Sequence, residues 1–181
     1  NLIEDKDSEA HQNIWFQDIQ FILDKLSFLN NKTDSLFYQN LNLEMIGVVG
    51  HSFGGSTSIQ LGRNEKRIKA CVNLDGALFG NDSTKPFNKP LMIIQGAQTI
   101  KNFVELSDEQ IAEKINFSQK LVSTLRKKYF LDIPNLFNKL THNAYRLIID
   151  SADHGAFSDW VLLKHLDLYS KNKHIFNLEK L

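Results

Sequence analysis

The sequence is poor in cysteine, proline and net charge, and each shortage excludes a class of protein. The single thiol, Cys71, excludes an intramolecular disulfide framework and a zinc site built from thiolates. Because 21 basic and 21 acidic side chains cancel, the chain lacks the electrostatic footprint that nucleic acid or an anionic membrane requires. No apolar run approaches the roughly 18 residues that span a bilayer. We therefore expect a globular protein with no nucleic-acid partner and no transmembrane segment.

What the sequence does contain is an alternation of short apolar runs with helical patterns. The apolar runs predict four strands, at residues 45–49, 68–74, 91–94 and 145–149. Helical spacing predicts helices at 15–29, 53–61 and 158–168, and a further stretch that starts at a capping box of Ser107 and Gln110. Near-continuously apolar strands separated by helices are typical of a mostly parallel sheet with helices on both faces. The predicted fold class is therefore α/β.

The composition is even along the chain, with no linker, internal repeat or low-complexity segment. We predict a single domain over residues 1–181, with a helical insert at about 106–142. The first helix is expected to be amphipathic, because one set of apolar residues recurs at gaps of three and four. That set comprises Trp15, Ile19, Ile22, Leu26 and Leu29.

A glycine-rich motif, Gly-His-Ser-Phe-Gly-Gly at residues 50–55, lies directly after a predicted strand and before a predicted helix. This is the context of a nucleophile elbow, in which a sharp turn exposes a strained serine. Glycines at 50 and 54 are expected because side chains there would collide with the neighbouring strand and helix. The motif predicts Ser52 as the nucleophile and the backbone N–H of Phe53 as one oxyanion donor. The alternative is a glycine-rich turn that packs the strand on the helix or binds an anion.

A serine nucleophile requires a histidine base that follows a later strand. Of the six histidines, only His154 directly follows a late predicted strand, in a loop of small residues that leads to the last helix. His154 is therefore the predicted base, and His142 is the reserve candidate. The remaining four lie on predicted helices, in the tail or beside the nucleophile, where a packed or solvated histidine is ordinary.

The acid that orients the histidine most often follows the second strand after the elbow. Residues 94–99, which occupy that position here, contain no carboxylate. One strand earlier, Asp75 stands at a carboxyl end and is followed by a flexible glycine, so we predict Asp75 as the acid. Two alternatives remain open: Asp153 is a rival acid beside the histidine, and Asp75 could be an ordinary turn-forming Asp-Gly pair.

Three segments resemble the platelet-activating factor acetylhydrolases of the plasma and type II kind: residues 46–55, 72–79 and 154–160. The resemblance implies an α/β-hydrolase fold, calcium-independent carboxylic ester hydrolysis and a role in lipid degradation. It also implies Ser52 as nucleophile, Asp75 as acid and His154 as base, since an acid after the strand that follows the elbow is characteristic of that family. The chain departs from the family in the helical insert and at Gly76-Ala77, which border the expected acyl pocket.

The expected reaction is acyl transfer through an acyl-enzyme, with His154 taking the Ser52 proton and water releasing the acyl group. It requires no cofactor and no metal. The expected substrate is a small-molecule ester or a short-acyl lipid. The alternatives are a general carboxylesterase or polyester hydrolase, and an inactive fragment that acts as a binding partner.

The position of the motif in the chain carries a further expectation. Only 51 residues precede Ser52, and about the first 29 read as loop and helix, so the early strands of the fold are expected to be missing. A second oxyanion donor normally comes from a loop after one of those strands. We therefore expect the chain to be a carboxyl-terminal portion of a longer hydrolase, whose missing amino-terminal half would cover an apolar sheet edge.

Overall fold

A four-stranded parallel sheet forms the centre of the computed structural model, which describes residues 5–79 and 86–159. The strands are β1 (Ile46–His51), β2 (Ile68–Leu74), β3 (Leu91–Gly96) and β4 (Ala144–Ile149). They lie side by side in chain order, and every neighbouring pair is parallel. The carboxyl ends of all four strands therefore meet at one edge, which is where such sheets carry their chemistry. The predicted parallel α/β sheet is confirmed.

Among the described residues, helices precede β1, follow β4 and connect β1 to β2 and β3 to β4. They are α1 (Asp5–Asn31), α2 (Phe53–Asn64), α3 (Ala97–Glu105), α4 (Asp108–Ile115), α5 (Gln119–Lys127), a π-helix (Lys128–Asp132), α6 (Ile133–Phe137) and a 3-10 helix (His154–Phe157). The capping box at the start of α4 is confirmed. Ser107 Oγ accepts from the Gln110 N–H, and Gln110 Oε1 accepts from the Ser107 N–H. The helix predicted at 158–168 lies, from residue 160 onwards, outside the described residues. None of the described helices has the length and apolar character needed to cross a bilayer.

The buried face of α1 differs from the one that apolar spacing predicts. Trp15 and Ile22 are 45% and 47% exposed, whereas Gln12 and Leu23 are buried. Gln12 Nε2 donates to Ser56 Oγ on α2 over 2.8 Å. The helix is thus rotated from the predicted face because it packs on α2 partly through hydrogen-bonded polar side chains, which hydrophobic periodicity does not detect.

One face of the sheet forms the main core. Alternate side chains on the central strands are fully buried there: Cys71, Asn73, Leu91, Ile93 and Gln95. Helix α2 packs closely on this face, since a Cβ added to Gly62 would lie only 2.4 Å from Cys71 Sγ. Side chains on the opposite face, such as Val72 and Met92, are half-buried by the described residues. The sheet is therefore held firmly beneath the elbow that joins β1 to α2.

Strand β1 lies at an edge of the sheet and, within the described residues, pairs only with β2. Val49 on this strand is 66% exposed, and Met45 just before it is 77% exposed. An edge strand presents unpaired backbone groups that can accept a further strand. In the part of the chain that the structure describes, the strand that carries the elbow thus has an unpaired, partly apolar side.

Candidate active site

Ser52 occupies the turn between β1 and α2 in a strained backbone conformation. Its φ of 57° and ψ of −122° lie in a region that non-glycine residues rarely adopt. The turn is held in place because the Ser52 N–H donates to the Leu74 carbonyl of β2 over 2.9 Å. The strain and the position at the carboxyl end of β1 together present the Ser52 hydroxyl at the top of the sheet.

Two glycines allow this turn, but only one of them is at a predicted position. A Cβ at Gly50 would lie 2.1 Å from the Gly54 carbonyl oxygen, so no larger residue fits. A Cβ at Gly54 would meet only a ring carbon of Trp15 at 3.7 Å, an ordinary contact. The second tight position is Gly55, where a Cβ would lie 2.2 Å from Asn73 Oδ1. The expectation of a collision at position 54 is therefore wrong, because the helix approaches β2 one residue later.

This difference predicts opposite effects for two neighbouring substitutions. Gly55→Ala should destabilise the fold by about 1–3 kcal/mol, because the added methyl group is forced against buried Asn73. Gly54→Ala should be neutral or stabilising by up to about 1 kcal/mol, because alanine favours the helix over glycine. Urea denaturation of both variants gives the comparison, and equal unfolding midpoints would contradict the packing described above.

Asp75 follows β2 at the same edge of the sheet, and its side chain is completely buried. It also has a positive φ, 52°, and its N–H donates to the Ile94 carbonyl over 2.7 Å. Buried Asn73 braces the turn: its Nδ2 donates to the Gly76 carbonyl, and its Oδ1 accepts from the Gly76 N–H. These contacts direct the Asp75 carboxylate towards the loops that follow β3 and β4.

Four described groups donate hydrogen bonds to the Asp75 carboxylate. The Gly96 N–H and the Tyr129 hydroxyl donate to Oδ1, while the Thr99 hydroxyl and the His154 ring donate to Oδ2. Burial by itself would raise the pKa of Asp75, but these hydrogen bonds outweigh it and hold the pKa below its usual value. Asp75 thus stays ionised until the pH falls through that lowered pKa. The stabilisation it provides is present above its usual pKa and is lost progressively as the pH falls from there through the lowered pKa.

The segment in which β3 passes directly into α3, with no carboxylate at residues 94–99, has a different part in the site. Two of the four donors to Asp75 come from it, the Gly96 N–H at 2.9 Å and the Thr99 hydroxyl at 2.8 Å. Residues at the position where most such folds carry the acid therefore donate hydrogen bonds here to Asp75, the carboxylate that follows β2. The sequence shows the missing carboxylate but does not identify Thr99 or Tyr129, because neither belongs to a recognisable motif. Asn73 lies in the segment 72–79, but nothing in that segment shows that its side chain braces the turn.

His154 joins the serine and the carboxylate. Its Nδ1 lies 2.8 Å from Asp75 Oδ2, and its Nε2 lies 2.9 Å from Ser52 Oγ. Because a carboxylate only accepts, Nδ1 carries the proton and Nε2 accepts from the Ser52 hydroxyl. The His154 side chain is 49% exposed, whereas that of Asp75 is fully buried. The structure thus brings all three predicted side chains into one hydrogen-bonded series.

The rival residues have other positions. Asp153 caps the 3-10 helix, with its Oδ1 accepting from the Ala156 N–H over 2.9 Å. His142 is exposed and precedes β4, so it lies at the amino edge of the parallel sheet, away from the carboxyl edge. His165 and His174 lie outside the described residues. Neither Asp153 nor His142 takes part in the series of hydrogen bonds around Ser52.

His51, the neighbour of Ser52, contacts the loop that carries His154. Its Nε2 lies 2.9 Å from the His154 carbonyl, and because a carbonyl accepts, Nε2 is the protonated nitrogen. The two rings lie 4.6 Å apart between centroids. Burial first and the proximity of His154 second lower the pKa of His51, which favours its neutral form. The elbow therefore supports the histidine loop as well as the serine.

An apolar cavity of about 580 Å³ opens beside Ser52 and His154. Its volume lies within the roughly 300–1,000 Å³ of cavities that bury small organic ligands. Apolar side chains from α2 and from the helices between β3 and β4 form much of its wall, among them Phe53, Phe103, Leu106, Ile111 and Leu121. The helices between β3 and β4 therefore form one side of the space next to Ser52.

One oxyanion donor is available at this point. The N–H of Phe53 belongs to the first turn of α2, where backbone N–H groups have no acceptor within the helix. It also lies at the positive end of the helix dipole, which favours developing negative charge. Within residues 5–79 and 86–159 there is no cluster of three side chains able to hold a metal ion.

The family of the chain follows from its sequence. The sequence model described as platelet-activating factor acetylhydrolase, isoform II, matches residues 10–170, which is most of the chain. The chain belongs to this acetylhydrolase family. The match includes all three segments on which the resemblance rests. None of the curated proteins matches this acetylhydrolase-family chain closely enough to count as a relative.

The fold of this acetylhydrolase-family chain is supported by a solved structure with a TM-score above 0.5. It is similar to a ferulic acid esterase from Streptomyces cinnamoneus, with a TM-score of 0.59 and 21% identity over 88% of this chain. It is also similar to an acylaminoacyl peptidase from Pyrococcus horikoshii, with a TM-score of 0.46 and 14% identity over 91% of this chain. The matched regions cover 38% and 29% of those two proteins, so the chain spans well under half of either. The fold is that of an α/β-hydrolase.

Proposed function

We propose that this chain carries the catalytic triad of a serine-dependent carboxylic ester hydrolase, with Ser52 as nucleophile, His154 as base and Asp75 as the acid. The observation that carries the proposal is the unbroken series of hydrogen bonds from Ser52 through His154 to Asp75 beside an apolar cavity. Each contact has the length and direction that general-base activation of a serine needs. Membership of the acetylhydrolase family supports the same reaction.

The reaction proceeds through an acyl-enzyme. His154 Nε2 takes the Ser52 proton as Oγ attacks the ester carbonyl, and the carbonyl oxygen, now negative, accepts from the Phe53 N–H. When the intermediate collapses, His154 returns the proton to the departing alcohol. Water then enters, gives its proton to His154 and attacks the acyl carbonyl, and collapse releases the acid and restores the Ser52 hydroxyl. Asp75 remains ionised throughout and stabilises the charged imidazole.

The proposed substrate is a small ester or a short-acyl lipid, with lipid degradation as the process served. The apolar wall of the cavity suits an acyl group without charge. Half-exposed His154 lies on the open side, where it can protonate an alcohol that leaves towards solvent. A general carboxylesterase or polyester hydrolase is the nearest alternative, and rates on esters of graded acyl length distinguish it from an acetylhydrolase.

An active-site label tests the proposal directly. A fluorophosphonate probe should modify Ser52 and no other serine, which peptide mass spectrometry of the labelled chain reports. Ser52→Ala and His154→Ala should abolish the modification, because one removes the nucleophile and the other its base. Ser151→Ala, an exposed serine in the loop just before His154, is the matched control and should label like the parent. Labelling that survives in Ser52→Ala would contradict the proposed nucleophile.

A second candidate function is a non-catalytic binding partner, which the free edge of β1 favours. Exposed Val49 and Met45 and the unpaired side of β1 suit pairing with a further polypeptide strand. In a complete site that strand's loop would supply the second oxyanion donor, and the proposed partner is the amino-terminal half of the same fold. A folded chain that never reacts with the fluorophosphonate would favour the binding function over the enzymatic one.

A further inference from the structure

Tyr129 contacts Asp75 of the proposed triad, although it belongs neither to the elbow nor to the strands beside it. It lies in the π-helix at Lys128–Asp132, between α5 and α6, and its side chain is 2% exposed. Its hydroxyl donates a hydrogen bond to Asp75 Oδ1. Single π-turns inside helical segments occur frequently at functional sites, because they redirect a side chain that a regular helix would point elsewhere.

The ring of Tyr129 is held firmly by its neighbours. It packs on Phe103 of α3 at 5.4 Å and on Phe130 at 5.8 Å between ring centroids. It also belongs to the main hydrophobic core cluster. A rigidly packed ring gives its hydroxyl little freedom, so the Asp75 carboxylate meets a donor at a fixed point in space.

The hydroxyl remains a donor over the working pH range. Burial first and the charge of Asp75 second raise the pKa of Tyr129 well above its usual value, and the hydrogen bond to Asp75 raises it further. Gln95 and Arg146, from β3 and β4, oppose this rise less strongly. Tyr129 therefore stays protonated and cannot itself act as a base at neutral pH.

The four donors divide between the two carboxylate oxygens. Tyr129 and the Gly96 N–H bind Oδ1, whereas His154 and Thr99 bind Oδ2. A carboxylate can rotate about its last single bond, and donors on Oδ1 oppose that rotation. With Oδ1 held, Oδ2 stays directed at His154 Nδ1, which in turn directs Nε2 at Ser52.

We propose that Tyr129 is a positioning residue of the triad. It acts through Asp75 to keep His154 Nε2 directed at Ser52 Oγ. This inference rests on the proposed ester hydrolysis and adds a residue from the helical insert to its machinery. Tyr129 also borders the cavity, together with Phe103 and Leu125. The insert therefore contributes to the cavity wall and to the alignment of the acid through the same tyrosine.

Tyr129→Phe tests the inference, because it removes the hydroxyl and keeps the packed ring. We expect kcat for a small p-nitrophenyl ester to fall about tenfold, since a loosened acid misaligns the base. KM should stay within about twofold, because the cavity wall is unchanged. The acid limb of the kcat/KM profile should move to higher pH, because a carboxylate that loses a donor attracts the His154 proton more strongly. Tyr145→Phe, an exposed tyrosine on β4, is the matched control and should change none of these values.

The outcomes separate this inference from the proposed function. Unchanged kcat and an unchanged pH profile in Tyr129→Phe would overturn the positioning role, while loss of activity in Ser52→Ala in the same assay would leave ester hydrolysis standing. A change in KM alone would also overturn it, since it would show that Tyr129 only lines the cavity. If Tyr129→Phe does not fold, 3-fluorotyrosine at position 129 provides the test. It keeps the donor and the packing but makes the donor more acidic, and an acid limb that does not move would overturn the role.

Discussion

Ser52→Ala is expected to lower kcat for ester hydrolysis by about a millionfold, and His154→Ala to lower it by a similar factor. Nucleophile and base act as one unit, so losing either abolishes the acyl-enzyme route. The distance of 2.9 Å between His154 Nε2 and Ser52 Oγ is the physical basis of this dependence. For the same reason the double variant should be hardly slower than either single variant, and initial rates on p-nitrophenyl acetate measure all three.

His142→Ala is the control for this experiment. His142 is exposed at the amino edge of the sheet, so its removal should leave kcat within about twofold of the parent. A large loss in His142→Ala would contradict the assignment of the base. So would a double variant whose loss equals the product of the single losses, because independent effects would mean that Ser52 and His154 do not act together.

Asp75→Asn is expected to lower kcat by about ten-thousandfold while the chain remains folded. An amide in place of the carboxylate can present its own N–H to the ring, which favours the tautomer of His154 that cannot accept from Ser52. It also removes the negative charge that stabilises the imidazolium formed as the serine attacks. Stopped-flow and steady-state rates on the same ester give the size of the loss, and circular dichroism shows whether the fold survives.

Asp153→Asn is the matched control, since it makes the same chemical change one residue from the histidine. The amide oxygen of the substituted side chain would still accept from the Ala156 N–H, so the cap of the 3-10 helix would persist. We expect kcat within about threefold of the parent. If Asp153→Asn were the slower variant, the acid would have to be reassigned to Asp153, against the contacts of Asp75 with His154.

The parts of the site that the sequence predicts are those set by short-range patterns. Gly50 and Ser52 are recognisable because one turn, between a strand and a helix, demands a glycine and a strained serine within a few residues. Asp75 and His154 are recognisable because each directly follows an apolar strand, and parallel strands bring their carboxyl ends to one edge. The parallel direction of the strands follows from the same alternation of apolar runs and helices, whereas their order in the sheet comes from the structure alone.

Packing contacts between distant segments were not predictable in this way. The need for glycine at 55 depends on where Asn73 of β2 points, 18 positions along the chain. The buried face of α1 includes Gln12, whose burial depends on a hydrogen bond to Ser56 on another helix. Neither the contact of residue 55 with Asn73 nor the hydrogen bond of Gln12 to Ser56 can be inferred from the residue types or the spacing of its own segment.

The sequence by itself determined the class of fold, the family and the three residues of the proposed triad, because each of these leaves a pattern within a few neighbouring positions. Only the tertiary structure decided how the acid is held. Thr99 and Tyr129 lie 24 and 54 positions from Asp75, and they reach it only because the start of α3 and the π-helix lie over the same edge of the sheet. Contacts of that range depend on the three-dimensional path of the chain, which one sequence without its fold does not specify.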